Sequence, residues 1–128
     1  MSAKNVSRGL VALLIVLLVS SFSLEPSLLR FSPVGTWEYT VPGVQPGYEK
    51  GSMVIEADGK EYKVTMVLNE YSKTEAEKVV YKKKTISFSI WVETEEILVS
   101  GSFDGDEFKG SLSYFEGDFS ITAKRTAK

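Results

Sequence analysis

The 128-residue chain contains neither histidine nor cysteine. Imidazole general bases, thiol nucleophiles, Cys/His zinc sites, disulfides and thiolate-held clusters are therefore excluded. What remains for chemistry is carboxylates, amines and hydroxyls. Glu38 and Glu56 could pair as acid and base, but both fall on the polar phase of alternating segments and are expected to face water. Asp104, Asp106 and Glu107 could suggest calcium. An EF-hand loop spreads its ligands over ~12 residues and ends on Glu; this stretch is far shorter and reads as a hairpin turn. Lys82-Lys83-Lys84 could hold an anion, but it sits between two strand patterns and reads as a solvated turn that blocks edge pairing. The glycines do not form a phosphate-binding strand–loop–helix pattern. No catalytic residue, metal site or cofactor is expected, and the residue types argue against an enzyme.

The elements that carry these residues begin with a distinct leader. Lys4 and Arg8 give a positive start, Leu10 to Val19 is an unbroken apolar run, and Ser20, Ser21 and Ser23 follow. This is the order of a secretory signal peptide over residues 1–23, with Ser21 and Ser23 spaced for cleavage before Leu24. An uncleaved membrane anchor over residues 9–24 is the alternative, although a span wants ~20 residues. Either way, the rest of the chain is expected to be exported, periplasmic or secreted, and to meet a membrane only through an uncleaved leader. Loss of Lys4 and Arg8 leaves 13 basic against 17 acidic residues, net −4, which argues against a nucleic-acid partner. Residues 24–33, with Pro26 and Pro33, read as a linker.

From Val34 onward the hydrophobic period is two. Trp37, Tyr39 and Val41 alternate with polar residues, as do Met53 and Ile55, then Tyr62, Val64, Met66 and Leu68. A weaker segment, 76–81, follows. The same alternation resumes around Ile86 to Ile90, Ile97 to Phe103, Phe108 to Tyr114, and Phe119 to Ala123. That predicts eight strands over residues 34–126, joined by short turns such as Asp58-Gly59 and Asp104-Gly105-Asp106. An eight-stranded antiparallel meander can close on itself, so the expected fold is all-β, an up-and-down barrel preceded by a hydrophobic leader helix. A two-sheet sandwich is the alternative. Gly101 and Gly110, inside strands, read as corner devices.

Alternate hairpins of such a barrel share an end. One end is then closed by tight turns. The other carries the long loop 42–48 and is rimmed by Val44, Tyr48, Tyr71 and Phe115, among them Glu49, Glu70, Glu75, Glu93, Glu95, Glu116 and Asp118. These four apolar and aromatic residues are the candidate ligand mouth, against the plainer reading of ordinary loop residues.

Gly35-Thr36-Trp37 on the first strand and Arg125 on the last resemble the lipocalin-like superfamily, in which Gly-x-Trp opens the barrel and a late basic residue packs over the Trp. Together with Ser100-Gly101, Phe103, Gly105-Asp106 and Phe108-Lys109-Gly110, the chain looks like the small lipocalin-like accessory domains of bacterial exported proteins. The resemblance spans Val34 to Arg125. It implies that Trp37 and Arg125 close the narrow end as a plate and a cation–π lid. It departs from typical lipocalins in having Asp104-Gly105-Asp106 where they carry Thr-Asp-Tyr, and in lacking a disulfide.

Two functions remain. One is an exported, non-catalytic module holding a small apolar or neutral ligand in the barrel mouth. The other is a structural or accessory domain that contacts an exported protein partner, with Trp91, on the outward phase from Ile86, Phe88 and Ile90, as anchor. A cavity opening at loop 42–48 would favour the first, and a filled core with an apolar outer patch around Trp91 the second.

Overall fold

The computed structural model describes residues 30–128; the leader, including the expected leader helix and cleavage site, and residues 24–29 of the expected linker lie outside them. A compact unit runs from Pro33 to Lys128. It begins one residue earlier than the sequence pattern implies because Pro33 is buried and its carbonyl accepts the Trp37 indole N–H at 2.9 Å.

Alternation predicts strands, and strands are what form: β1 (Gly35–Thr40), β2 (Lys50–Asp58), β3 (Glu61–Asn69), β4 (Ser72–Glu75), β5 (Glu77–Lys82), β6 (Thr85–Val92), β7 (Glu95–Asp104), β8 (Glu107–Tyr114) and β9 (Gly117–Ala127). All pairings are antiparallel, in the order β4-β3-β2-β1-β9-β8-β7-β6-β5. The first and last strands are therefore neighbours, and the sheet rolls into a nearly closed barrel.

The described residues carry nine strands rather than the expected eight, and the difference lies at Ala76. The stretch 72–82 is interrupted there. Its first part pairs with β3 and its second with β6, while the Ala76 N–H still donates to Val64 O at 2.8 Å. This broken strand carries the sheet from β3 across to β6, and the Tyr62 and Tyr81 rings meet edge to face across the remaining gap, centroids 5.2 Å apart. The connection from β3 to β4 is accordingly only a turn at Glu70-Tyr71. Ser-Lys-Thr-Glu has no apolar alternation, so period could not reveal β4.

The inward phase forms one core. Trp37, Tyr39, Met53, Ile55, Val64, Met66, Ile86, Phe88, Val99, Phe103, Phe108 and Ile121 are buried. Aromatic rings fill the tight-turn end: Phe103 lies 4.9 Å from both Trp37 and Phe108, and 6.2 Å from Tyr81. On the outward phase, Ser87, Ser100, Ser111 and Ser120 stand in one lateral row across β6, β7, β8 and β9.

Gly101 and Gly110 are direct partners on the inward phase. A Cβ on Gly101 would meet Phe108 Cζ at 2.5 Å, and one on Gly110 would meet the Gly101 Cα at 2.6 Å. Two facing glycines thus let the two backbones and the Phe108 ring approach closely.

Candidate functional site

The two ends of the barrel differ. At the tight-turn end, Trp37 and Arg125 are cross-strand partners, next to a bulge in the β1–β9 pairing. The guanidinium carbon lies 4.7 Å from the Trp37 ring centroid. Arg125 also donates through Nε to Asp106 Oδ1 at 2.8 Å and through Nη1 to Val34 O at 2.9 Å. Gly35 explains the glycine of Gly-x-Trp: at φ 144°, a Cβ there would meet Arg125 Cδ at 2.8 Å, so its missing side chain is the space the arginine stem crosses. The aspartate of the Asp104-Gly105-Asp106 turn thus orients the lid, a role that turn chemistry alone does not announce.

At the other end an apolar cleft of about 90 Å³ enters the barrel. Tyr39, Met66, Leu68 and Ile90 contribute from β1, β3 and β6; Ile97, Leu112, Tyr114 and Ile121 contribute from β7, β8 and β9. Loop 42–48 covers one side with Val44, Gln45 and Tyr48, its base closed by the Val41 N–H donating to Glu49 O at 2.7 Å. The volume is small against the ~150 Å³ apolar cavity that takes benzene, and well below the ~300–1,000 Å³ of drug-sized sites. The cleft therefore suits the narrow end of a ligand whose remainder lies in the open mouth.

Of the four mouth residues expected from sequence, Val44 and Tyr48 line this cleft and Tyr71 and Phe115 do not. Tyr71 is 91 % exposed and Phe115 76 % exposed. Both sit in two-residue turns whose side chains point away from the barrel, and Phe115 packs edge to face on Tyr114 instead, 5.7 Å between centroids. Tyr114 stacks on Phe119 at 5.5 Å and forms the wall that Phe115 was expected to form.

Burial pushes the Tyr39 phenol up to about 12. Its ring runs toward Gly51, where a Cβ would meet Tyr39 Oη at 2.6 Å, so a second glycine makes room for a site side chain. The Tyr114 phenol is also raised, first by burial and then by the negative charges of Glu116 and Glu95. Glu95 is the residue that sequence reasoning placed only on the rim. It opens β7 opposite Val92, on the same phase as Ile97 and Val99, and reaches the cleft; its Oε2 is buried with no hydrogen-bond partner.

Trp91 lies outside the barrel, 47 % exposed, and Leu98 and Val80 share that outward phase at 55 % and 58 % exposure. Leu98 also lines an outer groove with Lys78, Ser87, Ser89 and Ser100. Among the described residues, no group of three or more acidic side chains is placed to hold a metal ion, and no helix is long and apolar enough to cross a membrane.

These features define an all-β, antiparallel, nearly closed barrel with one plugged and one open end. A redesigned β-barrel of known structure is similar to it, with a TM-score of 0.54 and 17 % identity over 73 % of this chain and 90 % of that chain. No protein-family model matches the chain, and no curated protein matches it.

Proposed function

We propose that the chain is an exported, non-catalytic, lipocalin-like binding module that takes the narrow apolar end of a small ligand through the mouth beside loop 42–48. The carrying observation is the asymmetry of the interior: aromatic side chains fill the end under Trp37, and an apolar cleft opens at the end under Val44 and Tyr48. A purely structural barrel has no need of an unfilled end, since each unfilled methylene-sized space costs about 1 kcal/mol. The Gly35, Trp37 and Arg125 arrangement supports the lipocalin-like kinship on geometry. The test is titration of the full chain with a neutral, polarity-sensitive naphthalene dye, alongside Ile97→Trp, which fills the cleft. Saturable binding lost in Ile97→Trp is the expected result. Equal binding by both proteins would place the dye elsewhere and remove the reading.

A second reading, docking of an exported protein partner on the outer face, is favoured by Trp91, Leu98 and Val80, which expose apolar area there, and by the serine-lined groove beside Leu98. Ser89 Oγ, on that outward phase, is buried without a hydrogen-bond partner. A partner that crosslinks to a photoreactive residue at position 91 but not to one at position 38 would favour it.

A further inference from the structure

We infer that the mouth recognises a primary ammonium group, with Glu95 as its acceptor; this deepens the proposed binding function and rests on it. The observation is the placement of one carboxylate. Glu95 stands on the inward phase of β7, two residues before Ile97 and four before Val99, where every other side chain of the stripe is apolar or glycine. Its direct partner across the hairpin is Val92, also a wall of the cleft. Oε2 is screened from solvent and has no donor, although a carboxylate oxygen ordinarily accepts more than one hydrogen bond. None of the salt bridges among the described residues involves Glu95; the nearby lysine pair is made by its neighbour, Lys78 to Glu96 at 3.8 Å. A buried, donorless carboxylate oxygen facing an apolar cleft is satisfied by a ligand that brings a donor, and best by one that brings a charge as well.

The surroundings fit a cation. Glu93 also lines the cleft, Glu116 stands close enough to Tyr114 to raise its phenol together with Glu95, and no lysine or arginine lines the cleft. Tyr114 and Tyr48 also line the cleft, and aromatic rings attract a cation. The apolar depth under Met66, Leu68 and Ile90 takes a short alkyl or aryl group. The ligand class is therefore an amphipathic primary amine: apolar end inward, ammonium on Glu95.

The experiment compares four probes of equal chain length on the full protein by NMR titration: hexylammonium, 1-hexanol, hexyltrimethylammonium and hexanoate. Hexylammonium is expected to bind about tenfold or more tighter than 1-hexanol, as a charge-assisted hydrogen bond requires. Hexyltrimethylammonium, charged but without an N–H, is expected to fall between them, and hexanoate to bind least. Glu95→Gln is expected to bring hexylammonium down to about the level of 1-hexanol while the folded amide spectrum of the variant is retained. Binding of 1-hexanol as tight as hexylammonium in the wild type would overturn the ammonium site and leave the proposed function standing. Absence of binding by all four would overturn both. Should Glu95→Gln fail to fold, the order of the four probes on the wild type decides alone.

Discussion

Trp37 and Arg125 face each other across the β1–β9 pairing with 4.7 Å between guanidinium carbon and ring centroid, and the arginine is held there by Asp106 and the Val34 carbonyl. A fully buried indole is thus capped by a charge held in place by two hydrogen bonds. Trp37→Ala should cost about 3–5 kcal/mol in denaturant unfolding. Arg125→Ala should cost about 1–3 kcal/mol, from the cation–π contact and the lost bond to Val34 O, with little from Asp106, which is largely exposed. The double variant should lose less than the sum of the two, because both single changes delete one shared contact. Strict additivity would show that the stacking carries no energy.

The Tyr39 phenol gives a pH dependence with a definite sign. Its ionisation lies near 10 in the unfolded chain and is pushed up to about 12 by burial. The folded state therefore holds the proton more tightly. The corresponding stability is complete below pH 10 and is lost as pH rises through 12. The full loss is about 3 kcal/mol, and Tyr39→Phe should flatten that part of the curve. Chemical denaturation across the alkaline range, with tyrosinate absorbance read in parallel, measures both; an unchanged slope in Tyr39→Phe would assign the loss to other groups.

Lys83 and Lys84 both adopt positive φ, 54° and 65°, at a two-residue turn between β5 and β6. Such turns favour Asn-Gly, since a side chain with a Cβ is strained there. Replacing the pair by Asn-Gly should raise stability by about 1 kcal/mol or more. The Lys84 carbonyl, which accepts the Phe103 N–H at 2.8 Å, is retained. Thermal unfolding checks it, and an unchanged midpoint would mean that the turn relaxes at no cost.

Gly110→Ala should destabilise by about 2–3 kcal/mol, since its Cβ would fall against the Gly101 Cα and the Ser100 backbone, neither of which can rotate away. Ser100→Ala, an outward change on the neighbouring strand, should stay within about 0.5 kcal/mol. Equal small losses would mean that the close approach has room to give.

Much of the barrel is legible in period alone. Trp37, Met53, Met66, Phe88, Phe103, Phe108 and Ile121 are inward because each belongs to an alternating apolar stripe, and each is buried. Two things escaped that signal for physical reasons. Ser72–Glu75 is a strand because it pairs with β3, and pairing by backbone hydrogen bonds leaves no mark on side-chain type. Glu95 is the second, because it directly follows a turn and stands among the other carboxylates of the rim. The turn is Glu93-Thr94, with Glu93 at φ 58°, and the alternation running back from Val99 through Ile97 arrives at Glu95 on the inside. A carboxylate continuing an apolar stripe was the available clue. Tyr71 and Phe115 show the converse, that sharing an end of a barrel with a cleft is not the same as facing it.

The position of the β1–β9 pairing has a kinetic consequence. Every other pairing in the sheet joins strands that follow one another in the chain, whereas the Arg125 bond to Val34 spans 91 residues. The entropy of closing a loop rises with its length, so hairpins that need only a few residues to turn are expected to form ahead of this one contact. Trp37 and Arg125 would then join late, after the rate-limiting barrier. Weakening them would leave the refolding rate nearly unchanged and quicken the escape from the native state. In a chevron plot Arg125→Met should lift the unfolding arm and leave the folding arm in place, so that the lid governs how long a folded barrel lasts rather than how fast it is made.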